Sequence, residues 1–101
     1  MVPQVTFRGL SSSHEIKEEI YRKTQKLSTV VHALRGCHVV IEASPRGHPR
    51  PSAYRVTVHL SGGTDADHRL PRQSRNQNLR VALGEAFRSA HRQLTTRAVT
   101  H

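Results

Sequence analysis

Two helix-spaced clusters of basic side chains carry the chemistry of this chain. Arg22, Lys23 and Lys26 fall within little more than one helical turn, and Arg88 and Arg92 stand one turn apart near the other end. Bases three or four residues apart share a helix surface, where they neutralise a row of phosphates and release its counterions. Thirteen of the sixteen Lys and Arg are Arg, whose planar fork suits phosphate and stacks on bases. Against seven Asp and Glu they leave a formal charge of +9, and acidification of the eight His raises it further. Such an excess repels itself in a compact domain and points to a polyanionic partner, with nucleic acid the leading candidate.

Other reactive groups weigh less. His38 and His59 point outward from neighbouring elements; a metal or pH-sensing pair is conceivable, but no ligand spacing supports zinc, and solvent-exposed histidines are the commoner reading. Cys37 alternates inward with Val39 and Ile41, as a buried structural thiol does. Asp65 and Asp67 share one strand face beside Gly62-Gly63, where turn chemistry is the ordinary explanation. There is no phosphate-cradling glycine loop, nucleophile elbow or His-Glu metal helix, so an enzyme is not expected and no cofactor is implied. Only Phe7, Tyr21, Tyr54 and Phe87 are aromatic, mostly at core-like positions, which disfavours single-strand binding by stacking.

Length and composition bound the rest. The 101 residues make one domain, with an ordered core of about 4–96. No segment joins a wide apolar face to a dense basic one, no run approaches membrane-spanning length, and MVPQVTFRGL lacks the regions of a signal peptide. One cysteine forms no internal disulfide. A cytoplasmic protein is expected, without a membrane partner or small-molecule substrate.

The elements that must position the bases follow from periodicity. Gln4 to Arg8 alternates, with Val5 and Phe7 on one face, and reads as a strand. Ser12 and Glu15 make a capping box ahead of a helix whose stripe is Ile16, Ile20, Leu27, Val30 and Val31. Glu15, Glu18 and Glu19 precede its bases, an order that suits the helix dipole. Arg35-Gly36 is expected to end it. Cys37 to Ala43 alternates as a second strand, with Cys37, Val39, Ile41 and Ala43 inward. Ser44 to Pro51 is a basic, Pro-rich loop; it is a solvated connection on the commoner reading and an RNA-touching finger around Arg46, His48 and Arg50 on the other. A third strand turns Tyr54, Val56, Val58 and Leu60 inward and Arg55, Thr57 and His59 outward. Thr64 to Leu70 is a weak fourth strand by position, and Pro71 to Asn76, with Arg72 and Arg75, a polar loop. A last helix from about Asn78 presents Leu79, Leu83, Ala86, Phe87, Ala90 and Leu94, with Arg80, Arg88, His91 and Arg92 off that face and fraying after Thr96. The order β-α-β-β-β-α predicts an α+β two-layer sandwich, two helices on one face of a four-stranded sheet.

That order, with the runs IYRKTQKL (Ile20 to Leu27), GCHVVIEA (Gly36 to Ala43), YRVTVHL (Tyr54 to Leu60) and ALGEAFRSAHRQL (Ala82 to Leu94), resembles the short hibernation-promoting factor and ribosome-associated inhibitor proteins of bacteria, the sigma-factor modulation family. The resemblance spans roughly Val5 to Leu94. It implies a stress-response protein that docks on the small ribosomal subunit between head and body, contacts its rRNA and blocks translation at the decoding region. By position, Lys26 matches the family's lysine before the helix leucine, Arg92 the arginine of its R-Q-L ending, and Arg69 a basic position near the end of the fourth strand. Arg22, Lys23 and Arg88 join the rRNA-binding set by their chemistry on the same helices, and Arg50 and Arg72 as bases of the neighbouring loops. Asn76, Gln77 and Asn78 stand where members often carry acids, although Asn78 or Asn76 can cap the helix. The long form's dimerising domain does not follow His101, so a monomer when free is expected, unable to pair ribosomes unaided. A double-stranded RNA-binding module and a protein-interaction regulator of transcription remain alternatives; the strand at Val5 to Phe7 argues against the first.

Overall fold

The computed structural model describes residues 2–30, 34–43, 53–62 and 71–99, the side chains of 30 and 95–99 excepted. Six elements follow in order: strand β1 (Gln4–Arg8), helix α1 (His14–Val30), strands β2 (Leu34–Ala43), β3 (Tyr54–Gly62) and β4 (Arg72–Asn76), and helix α2 (Leu79–Val99). The strands lie in the order β1-β2-β3-β4. β1 runs parallel to β2, and the other two pairings are antiparallel. The crossover through α1 is what parallel neighbours require. This is the expected α+β sandwich.

Both helices bury their stripes against one face of the sheet. Ile16, Ile20 and Leu27 of α1 join Val39 and Ile41 of β2, Val56 and Val58 of β3, and Ala82, Leu83, Ala86, Phe87, Ala90 and Leu94 of α2 in one core. Three alanines on α2 let that helix sit close over β3 and β4. Thr24 interrupts the α1 stripe, fully buried, and its hydroxyl donates to the Cys37 sulfur at 3.8 Å. Burial pushes the Cys37 thiol above its ordinary pKa, the Thr24 hydrogen bond opposing this only in part.

The helix starts are set by side-chain caps, and one differs from expectation. Ser13, not Ser12, caps α1: its Oγ accepts from the Ile16 amide at 3.3 Å, and its carbonyl accepts the first helical bond, from Lys17, at 3.0 Å. The box with Glu15 therefore does not form, because Glu15 sits one residue too early to reach back. Asn78 caps α2 as expected, accepting from the amides of Arg80 at 3.0 Å and Val81 at 3.3 Å. Asn76 in turn accepts from the Asn78 amide at 2.8 Å. The hydroxyls of Ser28 and Thr29 donate to the carbonyls of Gln25 and Lys26, at 2.8 and 2.6 Å, in the last turns of α1.

Four further expectations are corrected. Arg35-Gly36 does not end the helix; both lie in β2, whose register shifts between Leu34 and Gly36. A Cβ at Gly36 would stand 2.5 Å from the Ser61 Oγ, so glycine serves close strand approach there. The polar loop expected over Pro71 to Asn76 contains β4 instead. Its Arg72, Ser74 and Asn76 are half-buried on the helix side, while Gln73 and Arg75 are exposed on the other. An edge strand needs apolar contrast on only one face, and here Ser74 meets that face by donating to Glu85 at 3.2 Å. Helix α2 continues past Thr96 to Val99. On the helix-free face Thr57, expected to point to solvent, is buried and accepts from the Gln73 amide nitrogen at 3.1 Å. The basic loop Ser44 to Pro51 and the weak strand Thr64 to Leu70 lie outside the described residues.

Candidate nucleic-acid interface

The helices run parallel, because residue numbers rise together along their contact. Arg80 in the first turn of α2 pairs with Glu15 at 3.6 Å and Glu19 at 3.4 Å. Further along, Lys23, Lys26 and Leu27 of α1 share a groove of about 220 Å³ with Gly84, Phe87, Arg88 and His91 of α2. Leu27 and Phe87 form a buried floor. Lys23 is half-buried, while Lys26, Arg88 and His91 are exposed.

Charge is segregated along this helix pair. The acids of α1 end at Glu19 and those of α2 at Glu85, which faces Ser74. Beyond these points the helices carry only bases among their charged residues. A groove floored by apolar side chains and rimmed by Lys and Arg admits a phosphate chain, its charges held at a surface of reduced dielectric.

The structure brings together Lys23, Lys26 and Arg88 of the expected contact set. Arg22 and Arg92, exposed, stand one turn from Lys26 and Arg88 respectively and continue the same rims. Arg72 does not line the groove. It lies on β4 opposite Val58, on the helix side, and its Nε is buried with no hydrogen-bond partner among the described residues. Arg50 and Arg69 lie outside the described residues. Sequence reasoning missed two groove residues. His91 stands three residues after Arg88, a spacing that could have found it. Gly84 carries no charge and gives no such signal.

His38 and His59 are cross-strand neighbours on the helix-free face, their ring centroids 5.9 Å apart, and the His38 Nε2 lies 2.8 Å from the Thr6 hydroxyl. Among the described residues no group of three or more metal-ligating side chains converges. No helix among them is long and apolar enough to cross a membrane.

Comparison with known proteins agrees with the fold. A ribosomal subunit interface protein from Coxiella burnetii superposes with a TM-score of 0.77 at 12% identity, covering 97% of this chain and 98% of its own. The N-terminal domain of Protein Y from Thermus thermophilus gives 0.70 at 16%, covering 93% and 96%. No curated protein sequence matches. The sequence model described as Sigma 54 modulation protein / S30EA ribosomal protein matches residues 4–99. Spanning nearly every residue from β1 to the end of α2, that match places the chain in the Sigma 54 modulation protein / S30EA ribosomal protein family.

Proposed function

We propose that the protein is a cytoplasmic ribosome hibernation factor, which binds the rRNA of the small ribosomal subunit at the decoding region and inhibits translation by occupying it. The observation that carries this reading is the interhelical groove, with Lys23, Lys26, Arg88 and His91 around one apolar floor and no carboxylate among its lining residues. Lys23, Lys26 and Arg88 take the central phosphates, and Arg22 and Arg92 extend the contact along each helix. Arg50, Arg69 and Arg72 complete the proposed rRNA-binding set. The protein acts by occupancy rather than catalysis, as a monomer when free, and reads RNA chiefly by backbone shape. Membership of a family described as ribosomal, and likeness in fold to a ribosomal subunit interface protein, support this partner.

Co-sedimentation with isolated small and large ribosomal subunits tests it. Stoichiometric pelleting with the small subunit alone, competed by transfer RNA, is expected. Five phosphate contacts imply that raising salt from about 50 to about 200 mM weakens binding on the order of 10²-fold. The double variant K26E/R92E should lose pelleting while keeping its fold. Equal pelleting with any RNA, or retention by the double variant, would overturn the reading.

A further inference from the structure

Strand register gathers metal-ligand chemistry on the sheet face away from the helices. Gln4 stands opposite His38 and His38 opposite His59, so an amide and two imidazoles line up across β1, β2 and β3. Residues directly opposite share a face and are close neighbours on it. The imidazole centroids are 5.9 Å apart, with the ring planes inclined by 34°. The adjoining row sets Gly36 opposite Ser61. Neither carries a large side chain, and with Val2 the two rows line a hollow of about 340 Å³ at the histidines. The hollow is separate from the interhelical groove, since both helices bury their apolar stripes on the opposite face of the sheet.

The donors in the hollow suit one class of ligand. No Lys, Arg, Asp or Glu is among its lining residues. Hard cations such as magnesium and calcium are held chiefly by carboxylate and carbonyl oxygens, whereas neutral imidazole favours borderline transition ions, zinc and copper among them. A zinc ion sits about 2.0–2.1 Å from each ligating imidazole nitrogen, so one ion spans two rings whose centres are roughly 6 Å apart. The His38 ring is already held in place, its Nε2 lying 2.8 Å from the Thr6 hydroxyl. With the proton on Nε2, Thr6 accepts it and Nδ1 keeps the lone pair that a metal needs; supporting groups orient ligating histidines in this way. Two imidazoles and the Gln4 amide oxygen leave coordination open to water, unlike the closed shell of a structural zinc site.

We propose that His38 and His59, with Gln4 beside them and Thr6 orienting His38, form a binding site for a divalent transition-metal ion such as zinc. Its two imidazole ligands come from different strands, so the bound ion ties β2 to β3. An ion held by the folded chain alone stabilises that chain. The inference stands apart from the RNA-binding reading of the groove.

Equilibrium dialysis of the full chain against zinc chloride, with magnesium chloride as control, counts the bound metal, and melting followed by circular dichroism reads stability. One zinc per chain is expected, with a melting temperature that climbs with zinc concentration; magnesium should do neither. H38Q and H59Q should each weaken zinc binding by at least roughly 10–100-fold, the cost of losing even a supporting group. H38Q/H59Q should melt at one temperature with and without zinc. Circular dichroism in metal-free buffer checks that each variant keeps its fold. The wild type also decides the matter alone: nitrogen NMR of its imidazoles should show zinc shifting His38 and His59 while the other six of its eight histidines stay in place. K26E/R92E, the groove variant, should bind zinc like the wild type, which keeps the two readings distinguishable. Zinc bound equally by the wild type and H38Q/H59Q, or shifts spread over the other six histidines, assigns the uptake to scattered side chains and overturns the site. A wild type that takes up no zinc overturns it as well.

Discussion

Arg80 Nη1 lies 3.4 Å from Glu19 Oε2, joining the first turn of α2 to the acidic end of α1. Glu15 approaches the same guanidinium at 3.6 Å. This pairing neutralises the helices where they begin and leaves their later turns to the groove. Glu19 is the more enclosed partner, its side chain 21% exposed against 60% for Arg80.

Because Arg80 remains largely in water, the bridge is worth little. A double-mutant cycle of Arg80→Ala and Glu19→Gln should give a coupling of about 0.2–1 kcal/mol that shrinks as salt rises. Chemical denaturation of the four proteins at low and high ionic strength measures it. A coupling above about 2 kcal/mol would mean that the pair orders the helices rather than decorating them.

Gly84 separates stability from binding. It lies inside α2, where glycine costs roughly 0.5–1 kcal/mol against alanine, and an added Cβ would meet no atom within 4 Å. Gly84→Ala should therefore stabilise the free protein by about that amount. Since Gly84 lines the groove, the same methyl group should weaken RNA binding. Melting and ribosome pelleting on one preparation check both halves, and unchanged binding would mean that RNA does not approach this turn of the helix.

The Asn78 cap holds the start of α2 by two amide hydrogen bonds. Asn78→Ala should cost about 1 kcal/mol, and Asn78→Asp or Asn78→Ser much less, since each restores an oxygen acceptor. Urea titration of the three variants ranks them. Equal losses in all three would show that the Asn76 contact, rather than the cap, sets the helix start.

Cys37 gives the fold an alkaline weakness. Its thiol pKa is raised by burial, so the folded state holds the proton more tightly than the unfolded chain does. That contribution is complete below the unfolded thiol's pKa and is lost as pH climbs through the folded value. Stability should fall across this alkaline window, and Cys37→Ala, whatever its cavity costs, should fall less. Denaturation from neutral pH to about pH 10.5 reads the difference; parallel curves would assign the alkaline loss to other groups. At neutral pH the native thiol should alkylate far more slowly than the denatured one.

The strongly periodic parts of the fold are legible in the chain. Leu79 to Leu94 announces α2, and the alternation of Cys37, Val39 and Ile41 and of Val56 and Val58 announces two strands. β4 is hidden because Arg72, Gln73, Ser74, Arg75 and Asn76 offer no apolar contrast; what makes them a strand is their ladder with β3. Gly36 misleads because glycine serves both a helix stop and a close strand approach, and only the nearby Ser61 decides. The bases of the groove are visible from helical spacing. The groove itself is not, because it depends on two helices lying parallel, and no local period encodes that. His38 and His59 face outward in the alternation of their strands, but that they stand opposite each other is set by register alone.

The uneven placement of acids and bases along the paired helices has a kinetic consequence. Carboxylates gathered at one end and cations at the other give the molecule a permanent electric moment along the helix pair. In the field of a large polyanion it turns before it touches: the Lys26–Arg92 end is drawn in more strongly than the Glu15–Glu19 end, whose carboxylates offset the bases beside them. Encounters then begin already oriented, and fewer collisions are wasted on the wrong end.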